Sequence, residues 1–223
     1  EFWYIFIRIN HIIESVLGSD FMRLPDMWAW RVDSSNEEEG WSAHRDRFSP
    51  TSVLELNGMP KSLTVWIPLA DVSTHHSCIH VLPATKDPIY HDMSKMKFST
   101  DTWATVVPDI RALPIREGGV LMWNQRVLHW ASRSSIRARS SRYSLSIEFT
   151  GKSLLQDAAE NEKLIYRGDV SDPSTLPKID QRSARIASVL RRYQHMYGFS
   201  DEWTGFSRAV ERHFLSNGEL VLP

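Results

Sequence analysis

Between residues 27 and 150 the chain is a succession of short apolar–polar alternations broken by turn residues. That pattern restricts the fold more than any other feature of the sequence. The runs "MWAWRVD", "GWSAHRDRF", "SLTVWIPLAD", "CIHVLPAT", "GGVLMW" and "RYSLSIEFT" are rich in Val, Ile, Thr, Trp and Tyr. Several place an apolar residue at every second position, the period of a strand with one buried face. Many short strands joined by loops bury a common core as a sandwich, barrel or jelly roll. Outside this stretch the period changes. Residues 3–17, "WYIFIRINHIIESVL", predict a helix closed by Gly18, because glycine takes the left-handed helix-ending conformation without steric cost. "ARIASVLRRYQHMY" predicts a helix with Ile186, Leu190, Tyr193 and Tyr197 on one stripe. "SDEWTGFSRAVERHFL" predicts another, capped by Ser200, with Trp203, Phe206, Val210 and Phe214 on one face. "GDVSDPSTLPK", 168–178, reads as a polar linker. The expected plan is a single domain over 1–223, mainly β with flanking helices: an N-terminal helical flank at 1–26, a β core at 27–150 and a C-terminal helical region at 151–223.

Composition narrows the functional classes. A length of 223 residues supports one large core and not two roomy ones. The net charge of −1 lacks the basic excess of a general nucleic-acid binder. The apolar run "FWYIFI" is interrupted by Arg8 and is too short to span a bilayer, and it lacks the pattern of a signal peptide. The chain opens on Glu1 and not Met, which predicts a portion of a longer protein. The single Cys78 allows no internal disulfide and fits a reducing, cytoplasmic setting. Nine tryptophans predict a core or cavity lined with large flat side chains.

Within "GWSAHRDRF" stands the pair His44 and Asp46. Alone it is weak, because a strand whose alternate residues face solvent accounts for it better than a metal site does. On a strand, however, residues i and i+2 project from one face. An imidazole and a carboxylate could then converge on one point, as in the two-histidine, one-carboxylate sites of non-haem Fe(II) oxygenases. His129 in "VLHWAS" is the candidate second histidine. Thirteen residues later comes Arg142, whose permanently charged fork suits bidentate binding of a carboxylate. The remaining candidates read as structural. His75 and His76 lie in a polar loop, His80 alternates with apolar neighbours, and His11, His91, His195 and His213 lack partners at ligand spacing. Cys78 has no companion base. "RSSIRARSSR" is either a solvated loop or a rim that holds an anionic substrate, and the acidic "SSNEEEGW" reads as solvated.

Four pieces in order resemble the phytanoyl-CoA dioxygenase family of Fe(II)/2-oxoglutarate oxygenases. They are "HRD" at 44–46, "SLTVWIPLADVSTHHSCIHVLPATKDP" at 62–88, "EGGVLMWNQRVLHWAS" at 117–132 and "RYSLSIEF" at 142–149. The match covers roughly 40–150. The chain departs from the family where "PATK" replaces "PGSH", where no glycine precedes Cys78, and where "EGG" replaces "GD". The resemblance implies a double-stranded β-helix (jelly-roll, cupin-like) core. It further implies His44, Asp46 and His129 as iron ligands, Arg142 as the anchor of 2-oxoglutarate, and Trp66 near that cosubstrate. The loop after His129 is about two residues longer than usual, which leaves Arg139 as an alternative anchor. The "RxxLxxxF" register favours Arg142.

The expected function is therefore a dioxygenase. With Fe(II), 2-oxoglutarate and O2 it would hydroxylate, desaturate or cyclise a small-molecule metabolite, releasing succinate and CO2. Halogenating relatives have a small residue in place of the carboxylate, so Asp46 predicts hydroxylation-type chemistry. The competing expectation is a catalytically silent jelly-roll domain that binds a small molecule or a partner. Neither substrate nor oligomeric state is legible.

Overall fold

The computed structural model describes residues 2–46, 53–55, 57–151, 178–195 and 198–216. Its chain divides into two compact units, Glu1–Asp26 with Phe149–Pro223, and Met27–Glu148. The division falls inside two strands, β1 (Met22–Val32) and β7 (Arg142–Thr150). The predicted linker at 168–177 and the stretch around it lie outside the described residues.

The first unit is mostly helical. Helix α1 (Phe2–Leu17) buries Phe6, Ile9 and Ile13, a spacing that lines up along one face. Gly18 follows at φ +86°, the left-handed stop. Phe149 meets Phe6 and Phe21 edge-on, with ring centroids 6.3 and 5.8 Å away. Helices α3 (Ile179–Tyr193) and α4 (Asp201–Ser216) pack together, and the Ser207 hydroxyl donates to the Ala187 carbonyl at 3.2 Å. The buried stripe differs from the expected one. Ala184, Ala187 and Ser207 are buried, whereas Ile186 and Trp203 are about half exposed. Small side chains at the crossing let the helices approach closely, and this displaces the bulky residues outward. Tyr197 lies outside the described residues. Among those described, no helix is long and apolar enough to cross a membrane.

The second unit holds two antiparallel sheets. One has the order β1-β7-β2-β5, with β2 at Ser62–Pro68 and β5 at Leu121–Trp123. The other has the order β4-β3-β6, with β3 at Ile79–Leu82, β4 at Arg111–Leu113 and β6 at Leu128–Ala131. Thr64 pairs with Trp123, and Val81 pairs with both Arg111 and His129. Strand β2 is buried along its whole length, as its near-continuous apolar sequence requires. Trp66, Val72, Cys78, Ile79, Trp123 and Ala131 form one core cluster. A short helix, α2 (Thr100–Val106), was not anticipated; it is capped by Ser99, whose hydroxyl accepts from the Thr102 N–H at 3.2 Å.

"GWSAHRDRF" requires a correction. Its described part, 40–46, is not a strand, since only His44 there makes a β-bridge, to His129, and residues 47 and 48 lie outside the described residues. The segment is instead tied at intervals to the chain around β6. Gly40 N–H donates to Ser132 O, Asp46 N–H to Gln125 O, and the Trp41 carbonyl accepts from Ala131 N–H, at 3.0–3.3 Å. Gly40 permits this approach. A Cβ there would stand 2.2 Å from the Ala131 Cβ and 2.9 Å from the Ser77 hydroxyl.

A buried charge network holds the same segment from behind. Arg45, between the two site residues, points away from them to an ion pair with Asp87 at 2.7 Å, and both side chains are wholly buried. It also donates to the Arg126 carbonyl. The Arg126 guanidinium is itself buried and donates to the carbonyls of Ile89, Tyr90, Asp92 and Lys95. One planar cation thus organises the loop that carries Asp87. Removing the partner of a buried charge strands it at a cost of about 3–5 kcal/mol. Asp87→Ala is expected to destabilise the protein by about that amount, read as a lowered denaturation midpoint; an unchanged midpoint would remove the pair from the framework of the site.

Candidate metal centre

His44, Asp46 and His129 converge. One ligand atom from each lies within 4.8 Å of the others. The approach is made by the backbone: His44 N–H donates to the His129 carbonyl, and His129 N–H to the His44 carbonyl, each at 3.0 Å. This exchange brings the two imidazole centroids to 4.3 Å. All three residues, with every side chain that supports them, belong to the Met27–Glu148 unit.

The hydrogen bonds determine which atoms face inward. His44 Nδ1 lies 2.7 Å from the Ser42 carbonyl, and His129 Nδ1 lies 3.0 Å from the Val127 carbonyl. A carbonyl only accepts, so both Nδ1 atoms carry the proton. Such a bond from the outer nitrogen sets tautomer and ring orientation in metal-binding histidines. Both Nε2 atoms then face Asp46 Oδ1, at 3.5 and 3.3 Å. The other carboxylate oxygen, Oδ2, is occupied by donors: Thr64 Oγ1 at 2.5 Å and Trp123 Nε1 at 3.1 Å. Asp46 is thus oriented, with one oxygen restrained and one directed at the histidines.

With neutral imidazoles, three acceptors meet with no donor between them. Such a cluster is stable only with positive charge at its centre, and two imidazole nitrogens plus one carboxylate suit a divalent first-row metal. Burial alone would push the Asp46 carboxyl up, but the His129 and His44 rings and the Thr64 hydroxyl beside it outweigh burial and hold the group far below the usual carboxylate range. The cluster is dry on one side and open on the other: the His129 and Asp46 side chains are 5% and 12% exposed, that of His44 30%.

Arg142, at the head of β7, is buried elsewhere on the same interior face. Its guanidinium sits 5.6 Å from the centroid of the Trp66 ring and donates to the carbonyl and hydroxyl of Ser77. Among the described residues no carboxylate partners it, and its Nε has no hydrogen-bond partner. Burial pulls its pKa down to about 10, so it stays charged at neutral pH. A buried, uncompensated cation is costly unless an anion arrives. Thr64, which touches Asp46, and Trp66, which underlies Arg142, are two residues apart on β2. They therefore share a face and are separated by about 7 Å along the strand.

Three buried polar atoms on this face have no hydrogen-bond partner among the described residues: Ser62 Oγ, Ser144 Oγ and Arg142 Nε. Ser62 shares the face of Thr64 and Trp66, and Ser144 shares that of Arg142. Sequence reading missed Thr64, Trp123, Ser62 and Ser144, although their signal was present, since each serine stands two residues from a site residue on its own strand. Arg139, the alternative anchor, is exposed, as are Arg133 and Arg137. Arg133 is bound to Glu39 at 2.6 and 2.9 Å. His75 is exposed, His76 binds the Ser73 hydroxyl, and His80 stacks on Trp130. Burial pushes the Cys78 thiol up, away from nucleophilic reactivity.

In sequence, the chain matches no family model and no curated protein significantly. Several solved structures resemble it in part. The non-haem α-ketoglutarate-dependent epimerase SnoN of nogalamycin biosynthesis is 22% identical, over 65% of this chain and 52% of its own, with a TM-score of 0.43. The α-ketoglutarate-dependent carbocyclase SnoK of the same biosynthesis is 20% identical, over 64% and 55%, with a TM-score of 0.49. HygX from Streptomyces hygroscopicus, solved with nickel, 2-oxoglutarate and hygromycin B, is 11% identical, over 65% and 62%, with a TM-score of 0.49. The chain spans less than two thirds of each of these proteins, and the likeness is one of partial chain trace.

Proposed function

We propose that the protein is a non-haem Fe(II)/2-oxoglutarate-dependent dioxygenase acting on a small-molecule metabolite. The observation that carries this reading is the pairing of two sites of opposite demand on one interior face. One is a cluster of three acceptors that requires a dication. The other is a buried guanidinium that requires an anion.

In this reading His44 Nε2, Asp46 Oδ1 and His129 Nε2 hold the iron. Arg142 holds the far carboxylate of 2-oxoglutarate, with Ser144 and Ser62 as candidate hydroxyl donors and Trp66 as the flat floor beneath. The two sheets form a jelly-roll core, and the whole chain works as one oxygenase domain of the phytanoyl-CoA dioxygenase type. Bound there, Fe(II) with 2-oxoglutarate and O2 supplies oxidative decarboxylation to succinate and CO2, coupled to oxidation of a substrate C–H bond. The chain's own share is positional. Thr64 and Trp123 keep Asp46 from rotating, the Ser42 and Val127 carbonyls keep both imidazoles in the metal-binding tautomer, and the Trp66–Trp123 core excludes water from the inner side. Asp46 fills the position that a halide-binding site must leave open, which favours hydroxylation. The buried thiol of Cys78 fits a reducing, cytoplasmic setting.

Anaerobic addition of Fe(II) and 2-oxoglutarate should give the weak visible charge-transfer band of the chelate, and aerobic turnover should release succinate. Absence of both, across a broad metabolite screen, would favour a silent binding domain. Asp46→Gly is expected to abolish hydroxylation; full activity in that variant would remove Asp46 from the ligand set. Loss of a charged hydrogen-bonding partner typically costs about 1.5–3 kcal/mol. Arg142→Ala should therefore weaken 2-oxoglutarate binding on the order of 10- to 100-fold, followed as the concentration that half-saturates the chelate band. Arg139→Ala should leave that concentration near wild type. The reverse result would reassign the anchor.

A further inference from the structure

The three candidate ligands sit on two stretches of chain, 44–46 and 125–129, which main-chain hydrogen bonds join at their ends. At one end His44 and His129 exchange two such bonds; at the other, Asp46 N–H donates to Gln125 O. Between these ties stands one residue on the first stretch, Arg45, and three on the second, Arg126, Val127 and Leu128. A regular antiparallel ladder would match them one for one. The surplus is taken up by a turn, in which Val127 N–H donates to the Asn124 carbonyl at 3.1 Å. Backbone pairing therefore does not by itself fix how far Asp46 stands from His129.

Arg45 is the side chain that crosses this gap. Its Nη1 donates to the Arg126 carbonyl, within the turn, and meets Asp87 Oδ2 at 2.7 Å. Its guanidinium lies over the Phe98 ring, 5.6 Å from the centroid. Asp87 is itself held, since its Oδ1 accepts from the Ile89 N–H at 3.0 Å. Two further bonds fasten the turn to the same loop. Asn124 Oδ1 accepts from the Arg126 N–H at 3.0 Å, and Asn124 Nδ2 donates to the Tyr90 hydroxyl at 2.7 Å. Both ligand-bearing stretches thus rest on one support, the loop from Asp87 to Lys95 whose carbonyls the Arg126 guanidinium gathers.

Stability alone gives a poor account of the Arg45–Asp87 pair. Both side chains are wholly buried, yet Arg45 Nε, Arg45 Nη2 and Asp87 Oδ2 make no hydrogen bond among the described residues. The desolvation of a buried ion pair is offset only when its remaining polar atoms are satisfied, and a well-packed apolar pair in its place is often as stable or more so. What an apolar pair lacks is direction. A guanidinium projects its N–H groups along fixed lines in one plane, and here one of them ends on the Arg126 carbonyl.

We propose that Arg45 is a positioning residue of the metal centre. Its guanidinium, oriented by Asp87, sets the separation of the His44–Asp46 stretch from the stretch that carries His129. This deepens the oxygenase reading and rests on its metal centre. Groups that orient metal ligands from outside typically change metal affinity about 10- to 100-fold when removed, and an effect of that size is assigned to Arg45.

The test separates positioning from stability in the full chain. Co(II) is the probe, because it takes the same nitrogen and oxygen ligands as Fe(II) and its visible absorption reports their arrangement. Each protein is read for its denaturation midpoint without metal and for its Co(II) dissociation constant. Arg45→Met/Asp87→Leu removes both charges and keeps the space filled, so its midpoint should return to near wild type, above that of Asp87→Ala. Its Co(II) affinity should nevertheless be about 10- to 100-fold weaker, with a changed spectrum. Ile13→Ala, at a wholly buried position in helix α1 outside the ligand-bearing unit, shows what lost stability alone does to Co(II) binding. The inference is overturned if the double variant binds Co(II) as tightly as wild type, or no more weakly than Ile13→Ala. Should the double variant not fold, Arg45→Lys decides by the same comparison, since it keeps the charge beside Asp87 and lacks the planar fork. Wild-type protein that binds Co(II) but gives no band with Fe(II) and 2-oxoglutarate would sink the oxygenase reading and leave the positioning role standing. Wild-type protein that binds no Co(II) would remove the metal centre and the positioning role with it.

Discussion

Two backbone hydrogen bonds between His44 and His129, each 3.0 Å long, bring the chemistry of this molecule together. They join an irregular segment to β6, and β6 is itself anchored by pairing with β3. From that junction the rest of the site follows by short steps along the chain. Asp46 lies two residues beyond His44, and its N–H is held by the Gln125 carbonyl. Trp41 lies three residues before it. Arg45, between the two site residues, turns the opposite way and is held by Asp87. The local chain is thus clamped from both sides: main-chain bonds in front, a buried ion pair behind. Side chains presented from such a clamp lose little further freedom when they bind, which is what a preorganised site requires.

The interior face on β2 and β7 carries two electrostatic demands of opposite sign. At Thr64 the demand is for positive charge, because three acceptors point at one another. At Trp66 it is for negative charge, because no carboxylate among the described residues partners the buried Arg142. Neither demand can be met by the other group directly, since Arg142 already donates to Ser77 and Asp46 already accepts from Thr64 and Trp123. In the function proposed above, a guest that carries a carboxylate at each end, one end on a metal, would meet both at once. The unpartnered hydroxyls of Ser62 and Ser144 lie on the same face and add donors to the anionic end.

Much of this was legible in the sequence, and the failures have definite causes. The period-2 pattern of "RYSLSIEFT" corresponds to β7 residue for residue, because both of its faces are occupied and the register is strongly specified. "GWSAHRDRF" misled. Its alternation suggested a strand, but Gly40 is drawn against Ala131 and only isolated bridges form. His44 and Asp46 still converge, through the bonds to His129 and Gln125 and not through a shared strand face. Helix α2 escaped notice because seven residues give too little periodicity, and its clearest signal is the single cap at Ser99. In α3 the contact is made by alanines, so hydrophobicity pointed to Ile186 while packing chose Ala184 and Ala187. Large side chains announce a core by size; small ones announce it by absence, and sequence alone does not record an absence.

The allocation of tryptophans states the same logic at the site. Trp123 is buried and donates its N–H to Asp46, so its indole works as a hydrogen-bonding wall behind the carboxylate. Trp66 is buried beneath a cation. Both close the inner side. On the outer side Trp41 approaches His44 without burying it, and the His44 side chain keeps nearly a third of its surface in contact with solvent.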